Sequence, residues 1–591
     1  AITDHGTMGG VLKFQSACKK YGVKPIFGIE AYFVPDVNND DMDAKAERFH
    51  LILLAKNNEG LSKLFKATKT AWADNFYYKP RIDFPLLSSL VDDDVVALSG
   101  CRGSAIAKAI ENGDESRAAK LSEKFIEIFK DDFYFEIQPW NPKEINDGII
   151  DLAQAYGRKV VGTADCHYPT KEDAGCEEVL LTAAQYPGFN AEVLRHATEH
   201  SCATMPSMSV TDKLNVMYPN RFLRFDDITP YVADAEEISE WFNKAGYGES
   251  SIISNTVEVA EKCSAEVQTR QSLLPKYMKS LNSDEYLKEI AMFSLAEKGL
   301  GEDPDYLARL MEELGIISQL NFSDYFLIIW DLIKWADTNG IGRGTGRGSV
   351  GGSLLAYVLD ITIVDPLKYD LLFARFINPE RNDYPDIDLD FEDKRRKEVK
   401  DYLVERWGYD NVAAISTYGE FKAKSVIKDV SRVFALPYAD VNGITPLFET
   451  LGELKSNDKG KLFCQKYPDI IKTAEKLEGR IRNTGIHAAG MVVSSVPLSE
   501  VCPVETRKEV GGSDRSLVSA FEMTDAEDIG LIKIDILGLK TVSVISDCLK
   551  KVKELHGVDI KEDSLKLDDP EIYKAIDSGN TSGVFQAEAG A

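Results

Sequence analysis

Along residues 384–391, "YPDIDLDF", polar and apolar positions alternate: Asp386, Asp388 and Asp390 take every second place, with Ile387, Leu389 and Phe391 between them. That period predicts a β-strand with one apolar face. Through the first 170 residues or so, "VKPIFGIEAYFV", "HLILLAKN", "DVVALSG", "DFYFEIQ" and "KVVGTADCHY" are expected as strands, and "GVLKFQSACKKYG" and "SRAAKLSEKFIEIFK" as helices. Strand and helix in alternation point to an α/β layer or barrel. Residues 170–270 read as mostly helical. "SDEYLKEIAMFSLAEKGLG" and "PDYLARLMEELGIISQL" are amphipathic, and "DYFLIIWDLIKWADTNG" is a strongly apolar helix ending at Gly340. A Gly-rich loop precedes the Asp strand. Residues 395–495 again read as mostly helical with basic residues interspersed, and "DIGLIKIDILGLKTV" returns to strand character.

A length of 591 residues implies several domains, about three to five. The composition, 44% hydrophobic and 28% charged, is that of a globular protein, and no apolar run approaches a membrane span. Nine Cys without a C-x-x-C pair argue against a zinc ribbon or a disulfide framework and favour a reducing cytoplasm. The net charge of −27 argues against a chain coated by nucleic acid, and leaves room for a local basic groove. "AITDHG" and "GVFQAEAGA" read as cuts through a longer polypeptide.

Asp is depleted in strands, so the Asp alternation asks for a reason. Carboxylates two apart on a strand stand roughly 6.5–7 Å from one another, a spacing that grips one divalent cation or brackets a pair about 4 Å apart. A solvated edge strand fits the octapeptide as well. Asp535, in "LIKIDILG", is a lone acid among Ile532, Ile534, Ile536 and Leu537, costly to bury unpaired; a hydrogen-bonded core Asp would read the same way. Lys533 is assigned to the opposite strand face. The loop "GRGTGRGSVGGS" lacks the Walker A and Rossmann frames. Feeding the helical "LLAYVLDI", it is expected to offer backbone N–H groups to phosphate, with Arg343 and Arg347 adding charge. Together these are the parts that two-metal nucleotidyl transfer needs.

"RGSVGGSLLAYVLDITIVDPLKYDLLFARFINPERNDYPDIDLDFEDKRR" resembles the palm of the family C polymerases, the bacterial replicative DNA polymerase III alpha subunits. "ISTYGEFKAKSVIKDVSRVFALP", "RIRNTGIHAAGMVV" and "GLIKIDILGLKTV" resemble the same family in the same order. The resemblance implies an α/β and α+β multidomain chain with a PHP-type α/β barrel, a polymerase-β-like nucleotidyltransferase palm and a mostly helical thumb. It implies a PHP domain at 1–270, palm at 271–417 and 496–545, thumb at 418–495 and the start of the fingers at 546–591. Asp386, Asp388 and Asp535 match the magnesium-binding catalytic triad, and Asp390 a family Asp outside it. Arg347, Gly348, Ser349, Arg375 and Lys533 match residues near the incoming nucleotide. Where the family often has Thr-Gln-Tyr-Asp-Met, this chain reads "SAFEM", and Ala520 lacks the amide.

Lys424, Lys428 and Arg432 share one face of an expected helix, with Lys422 nearby. Arg480, Arg482, Asn483 and His487 in "GRIRNTGIHAAG" are similar in kind. A solvated charged face fits these residues too. The resemblance makes them backbone contacts to primer–template DNA. Asp4, His5, Glu30, His50, Cys101, Asp165 and His167 lie at the ends of expected strands, where α/β folds host ligands. They resemble the polynuclear metal site of a PHP domain, filled by zinc or manganese, that supports 3′–5′ exonuclease activity in some members. The family's His-x-His stretch upstream of "TDH" is not in this chain.

The function implied is a DNA-directed DNA polymerase catalytic subunit, cellular or phage, using dNTPs and meeting a sliding clamp and other replisome subunits through regions outside this chain. These 591 residues alone are expected to polymerise weakly or not at all. The alternative is a metal-dependent phosphoesterase with a polymerase-like scaffold.

Overall fold

The computed structural model describes all residues except 40–46, 91, 187–190, 200–207, 226–227, 381–384, 509–514, 561–564, 566–567, 580 and 586–591. Tyr384, where the Asp strand was expected to begin, and the residues after Phe585 lie outside the described residues. The chain forms two compact units, Ala1–Glu266 with Thr417–Gly485, and Val267–Ser416 with Ile486–Ala591.

The first unit holds strands β1 (Gly28–Phe33), β2 (Phe49–Ala55), β3 (Phe76–Tyr77), β4 (Lys79–Ile82), β5 (Val95–Leu98), β6 (Phe133–Ile137) and β7 (Val160–Gly162). They form a mixed sheet in the order β3–β4–β1–β2–β5–β6–β7. β5 and β6 are buried along their whole length, as strands covered on both faces require. The helix Glu115–Phe129, capped by Asp114, turns Ala118, Leu121, Phe125 and Phe129 inward. Phe125 meets Phe33, Phe84 and Phe133 with ring centroids 4.9–5.4 Å apart. A second core in this unit is helical. It joins Cys176, Val179, Leu214, Met217 and Tyr218 to Val426, Ile427, Val430, Phe434 and Ile470.

The second unit is built around the helix Ser323–Thr338, whose residues Tyr325–Ile329 are all buried. Its sheet contains β8 (Asp388–Glu392), residues 412–416 of β9 (Val412–Glu420), residues 486–493 of β10 (Ile481–Val493), β11 (Val504–Lys508), β12 (Arg515–Ser519) and β13 (Ile532–Leu539). The strand order is β11–β12–β9–β10–β13–β8. Ile387, Leu389, Phe391, Met491, Ile532, Ile534 and Ile536 face the core. The apolar half of the alternation in residues 384–391 thus turns inward. Among the described residues no single helix is long and apolar enough to cross a membrane.

The largest departure from expectation lies in residues 395–495. The stretch is helical at Arg396–Trp407 and through most of Ala423–Leu477, but the long strands β9 and β10 flank the second helical part. "VAAIST" is rich in β-formers and buried over its first five residues. In "RNTGIHAAG" small residues permit close strand packing. A Cβ on Gly419 would stand 2.2 Å from Asn483 Oδ1, and one on Gly485 3.0 Å from Thr417 Oγ1.

Candidate active site and metal centre

In the second unit β13 pairs parallel with β8, and the register sets Asp535 directly beside Asp388. Asp386 stands on the extended residues leading into β8 and is exposed, whereas Asp535 is buried. Lys533 Nζ lies 2.8 Å from Asp535 Oδ2 and 3.5 Å from Asp386 Oδ1. The opposite-face assignment of Lys533 is therefore wrong. Residues two apart on a strand share a face, and the two side chains form an ion pair there.

Arg347 closes the other side, with Nη2 3.5 Å from Asp388 Oδ2 and Nε 3.1 Å from Asp390 Oδ2. Asp390, outside the expected triad, is thus an anchor for Arg347. Burial pushes the Asp388 carboxyl up, as do the charges of Asp386 and Asp535, while Arg347 and Lys533 oppose the rise. Burial would lower the Lys533 ammonium, but its bond to Asp535 and the charges of Asp535, Asp386 and Glu527 hold it above its ordinary value. Glu527, which the sequence reading missed, is likewise pushed up, first by burial.

The Gly-rich loop is an edge partner of β8. Glu392 N–H donates to Gly342 O at 2.8 Å and Gly344 N–H to Asp390 O at 2.7 Å. A Cβ on Gly344 would meet Asp390 Cβ at 2.8 Å, so the close approach requires glycine. Gly348 (φ 77°) opens the turn Gly348–Gly352, and Gly348 and Ser349 are exposed. Arg375 is exposed on the turn Phe373–Arg375, and its side chain has no partner among the described residues. One expectation fails here. The N-terminus of the helix Leu354–Val358 does not offer its amides to phosphate, because Glu313 accepts the Leu354 and Leu355 N–H groups at 2.9 Å each.

Asp535 Oδ1 is buried and has no hydrogen-bond partner among the described residues. An orphaned carboxylate oxygen beside two further carboxylates fits a divalent cation.

The helix Ala423–Val433 buries Val426, Ile427 and Val430 and turns Lys424, Lys428 and Arg432 to the other face. Lys424 pairs with Glu449, Arg432 with Asp429 at 3.7 Å, and Arg482 with Asp429 at 2.6 Å. Lys422, Lys428 and Arg480 are exposed. Arg482, Asn483 and His487 lie on strand β10 rather than on a helix, and His487 Nδ1 accepts the Gly490 N–H at 2.7 Å.

In the first unit the N-terminal residues run parallel to β1, with His5 bridged to Glu30. Glu30 takes both imidazoles: His5 Nδ1 is 3.2 Å from Oε2 and His50 Nδ1 2.9 Å from Oε1. Among the described residues these three are the group whose ligand atoms all lie within 4.8 Å of one another; Asp386, Asp388 and Asp535 are more widely spaced. Cys101 Sγ is 3.2 Å from His50 Nδ1. Burial pushes its thiol up, and Asp165 and Glu30 add to the rise. His167 Nδ1 is 2.6 Å from Asp165 O, and Asp165 holds a strained φ of 45°. Asp4 lies outside the triad, its carboxyl pushed up by burial. Two imidazoles and a carboxylate are a donor set suited to zinc or manganese. Fully buried Glu136, also missed, accepts from Gly100 N–H at 3.1 Å and from Thr163, and burial pushes it up to about 7.

Three family models match the chain. Residues 1–139 match the PHP domain, 284–538 the bacterial DNA polymerase III alpha NTPase domain, and 541–591 the bacterial DNA polymerase III alpha subunit finger domain. Full-chain matches include the DNA polymerase III subunit alpha of Aquifex aeolicus (36% identical, 52% of that protein covered), Helicobacter pylori strain J99 (34%, 50%) and Thermus aquaticus (32%, 52%). The class is that of chains joining a PHP domain to a DNA polymerase III alpha-type domain. The chain belongs to the bacterial DNA polymerase III alpha subunit family, and spans about half the length of the curated relatives it matches.

Proposed function

We propose that this chain carries the catalytic centre of a DNA-directed DNA polymerase, transferring a deoxynucleotide to a primer 3′-hydroxyl with release of pyrophosphate. The observation that carries the reading is the register of Asp388 beside Asp535, whose Oδ1 lacks a partner among the described residues. Asp386, Asp388 and Asp535 would hold magnesium. Such ions, when bound, lower the pKa of the attacking hydroxyl and neutralise the triphosphate. Arg347, Ser349, Arg375 and Lys533 orient the triphosphate, the guanidiniums through forked bonds. On this reading 271–417 and 496–545 form a polymerase-β-like palm, 418–495 the thumb and 546–591 the start of the fingers. Lys422, Lys428 and their neighbours contact primer–template backbone. Sliding clamp and replisome partners belong to the rest of the protein.

The His5–Glu30–His50 group supports a second activity, hydrolysis of a phosphodiester at a 3′ end by a PHP-type barrel over residues 1–270. One experiment tests both. In the full-length subunit, Asp388→Asn should lower single-nucleotide incorporation at least ~10³-fold and leave digestion of a 3′-mismatched primer intact. His50→Ala should do the reverse. Near-wild-type incorporation by Asp388→Asn would refute the metal-ligand assignment.

A further inference from the structure

Two segments that carry the proposed triphosphate contacts, the turn Gly348–Gly352 and the turn Phe373–Arg375, meet backbone to backbone. A Cβ on Gly352 would stand 2.7 Å from Leu372 O. What fixes them is a pair of side chains on the helix Pro304–Gln319. Arg309 and Glu313 are one helical turn apart and joined at 2.7 Å. The Arg309 Nη2 donates to Gly352 O at 2.9 Å, at the end of the first turn, and to Leu371 O at 3.2 Å, two residues ahead of the second. Glu313 is fully buried and both its oxygens are used: Oε1 by Arg309 and Leu354 N–H, Oε2 by Ser353 Oγ–H (2.8 Å) and Leu355 N–H. A buried charge satisfied on every side by fixed donors is rigid, and removing one partner leaves the rest uncompensated.

We propose that Arg309 and Glu313 are positioning residues for the nucleotide site. They set the separation between Arg347 and Ser349 on one segment and Arg375 on the other, without touching the nucleotide. The inference rests on the reading of those three residues as triphosphate contacts. The planar fork of Arg309 matters because it reaches two carbonyls and the carboxylate at once, which an ammonium does not reproduce.

The test is steady-state incorporation by the full-length subunit carrying Arg309→Lys. The KM for dNTP should rise about tenfold or more, while kcat at saturating dNTP, the Kd for primer–template and the melting temperature stay close to wild type. An unchanged nucleotide KM, or a rise matched by equal loss of primer–template affinity and of thermal stability, would overturn the proposal. Should Arg309→Lys not fold, Ser353→Ala removes one bond to Glu313 and should raise the same KM by a smaller factor; no rise there is equally fatal. Arg347→Ala separates the two layers. If it leaves the nucleotide KM unchanged, the triphosphate reading fails. If it raises KM and Arg309→Lys does not, the positioning role alone fails.

Discussion

At the scale of the residue, buried acids mark both candidate sites, and Glu136 yields a pH prediction. Its folded pKa, raised by burial from 4.5 to about 7, favours the folded state while the group is protonated. The stability it contributes is therefore complete below its unfolded value and is lost as the pH climbs through about 7, by about 3 kcal/mol. With metal chelated, wild type should lose that much relative to Glu136→Gln between about pH 5 and 8, read by denaturant unfolding. A difference independent of pH would remove Glu136 from this account. Glu136 in "DFYFEIQ" carries the same signal as Asp535, a lone acid in an apolar strand, so its burial was legible although only Asp535 was read. Glu313 was not legible. In "RLMEELG" it looks like an ordinary solvated helix charge, and besides Arg309 its partners arrive 40 to 42 positions further along the chain. The Lys533–Asp535 pair was open to reading by counting alone.

At the scale of the element, period decided what could be read. The strand in 384–391 and the helix over 323–338 announce themselves through alternation and through a long apolar face. Strand β10 does not, because Gly, Ala and His leave no hydrophobic period to follow. The helix Ala423–Val433 was legible in its basic face, but not in which cations are already engaged. Lys424 must release Glu449 before it can meet a phosphate, whereas Lys428 is exposed and without an ion pair among the described residues. Lys428→Ala should therefore weaken duplex binding more than Lys424→Ala, at every base sequence, and flatten the slope of log K against log salt by about 1. Fluorescence anisotropy over a salt series measures this. Equal losses from the two variants, or a loss confined to particular sequences, would count against the phosphate assignment.

At the scale of the whole molecule, the finger-type match covers only residues 541–591, and Val544, Leu555, Ile572 and Tyr573 in this region are exposed. The triphosphate contacts proposed here come from the loop, the Arg375 turn and β13. Orientation of reacting groups supplies ~7–11 kcal/mol of barrier reduction, so a pocket closed by a complete finger domain should incorporate nucleotide orders of magnitude faster than residues 1–591 alone. Comparable single-turnover rates from the two chains would mean that the pocket closes without it. The parallel pairing of β8 with β13 also sets a timetable for synthesis. Roughly 150 residues separate Asp388 from Asp535, and a loop of that size costs only about 0.6 kcal/mol more to close than one half as long. The burden is delay rather than instability. A ribosome moving at about 5–20 residues per second needs roughly 8–30 s to deliver the second acid after the first. Through that interval the proposed ion site lacks one of its three carboxylates, and on this reading the nascent chain cannot yet act on a primer.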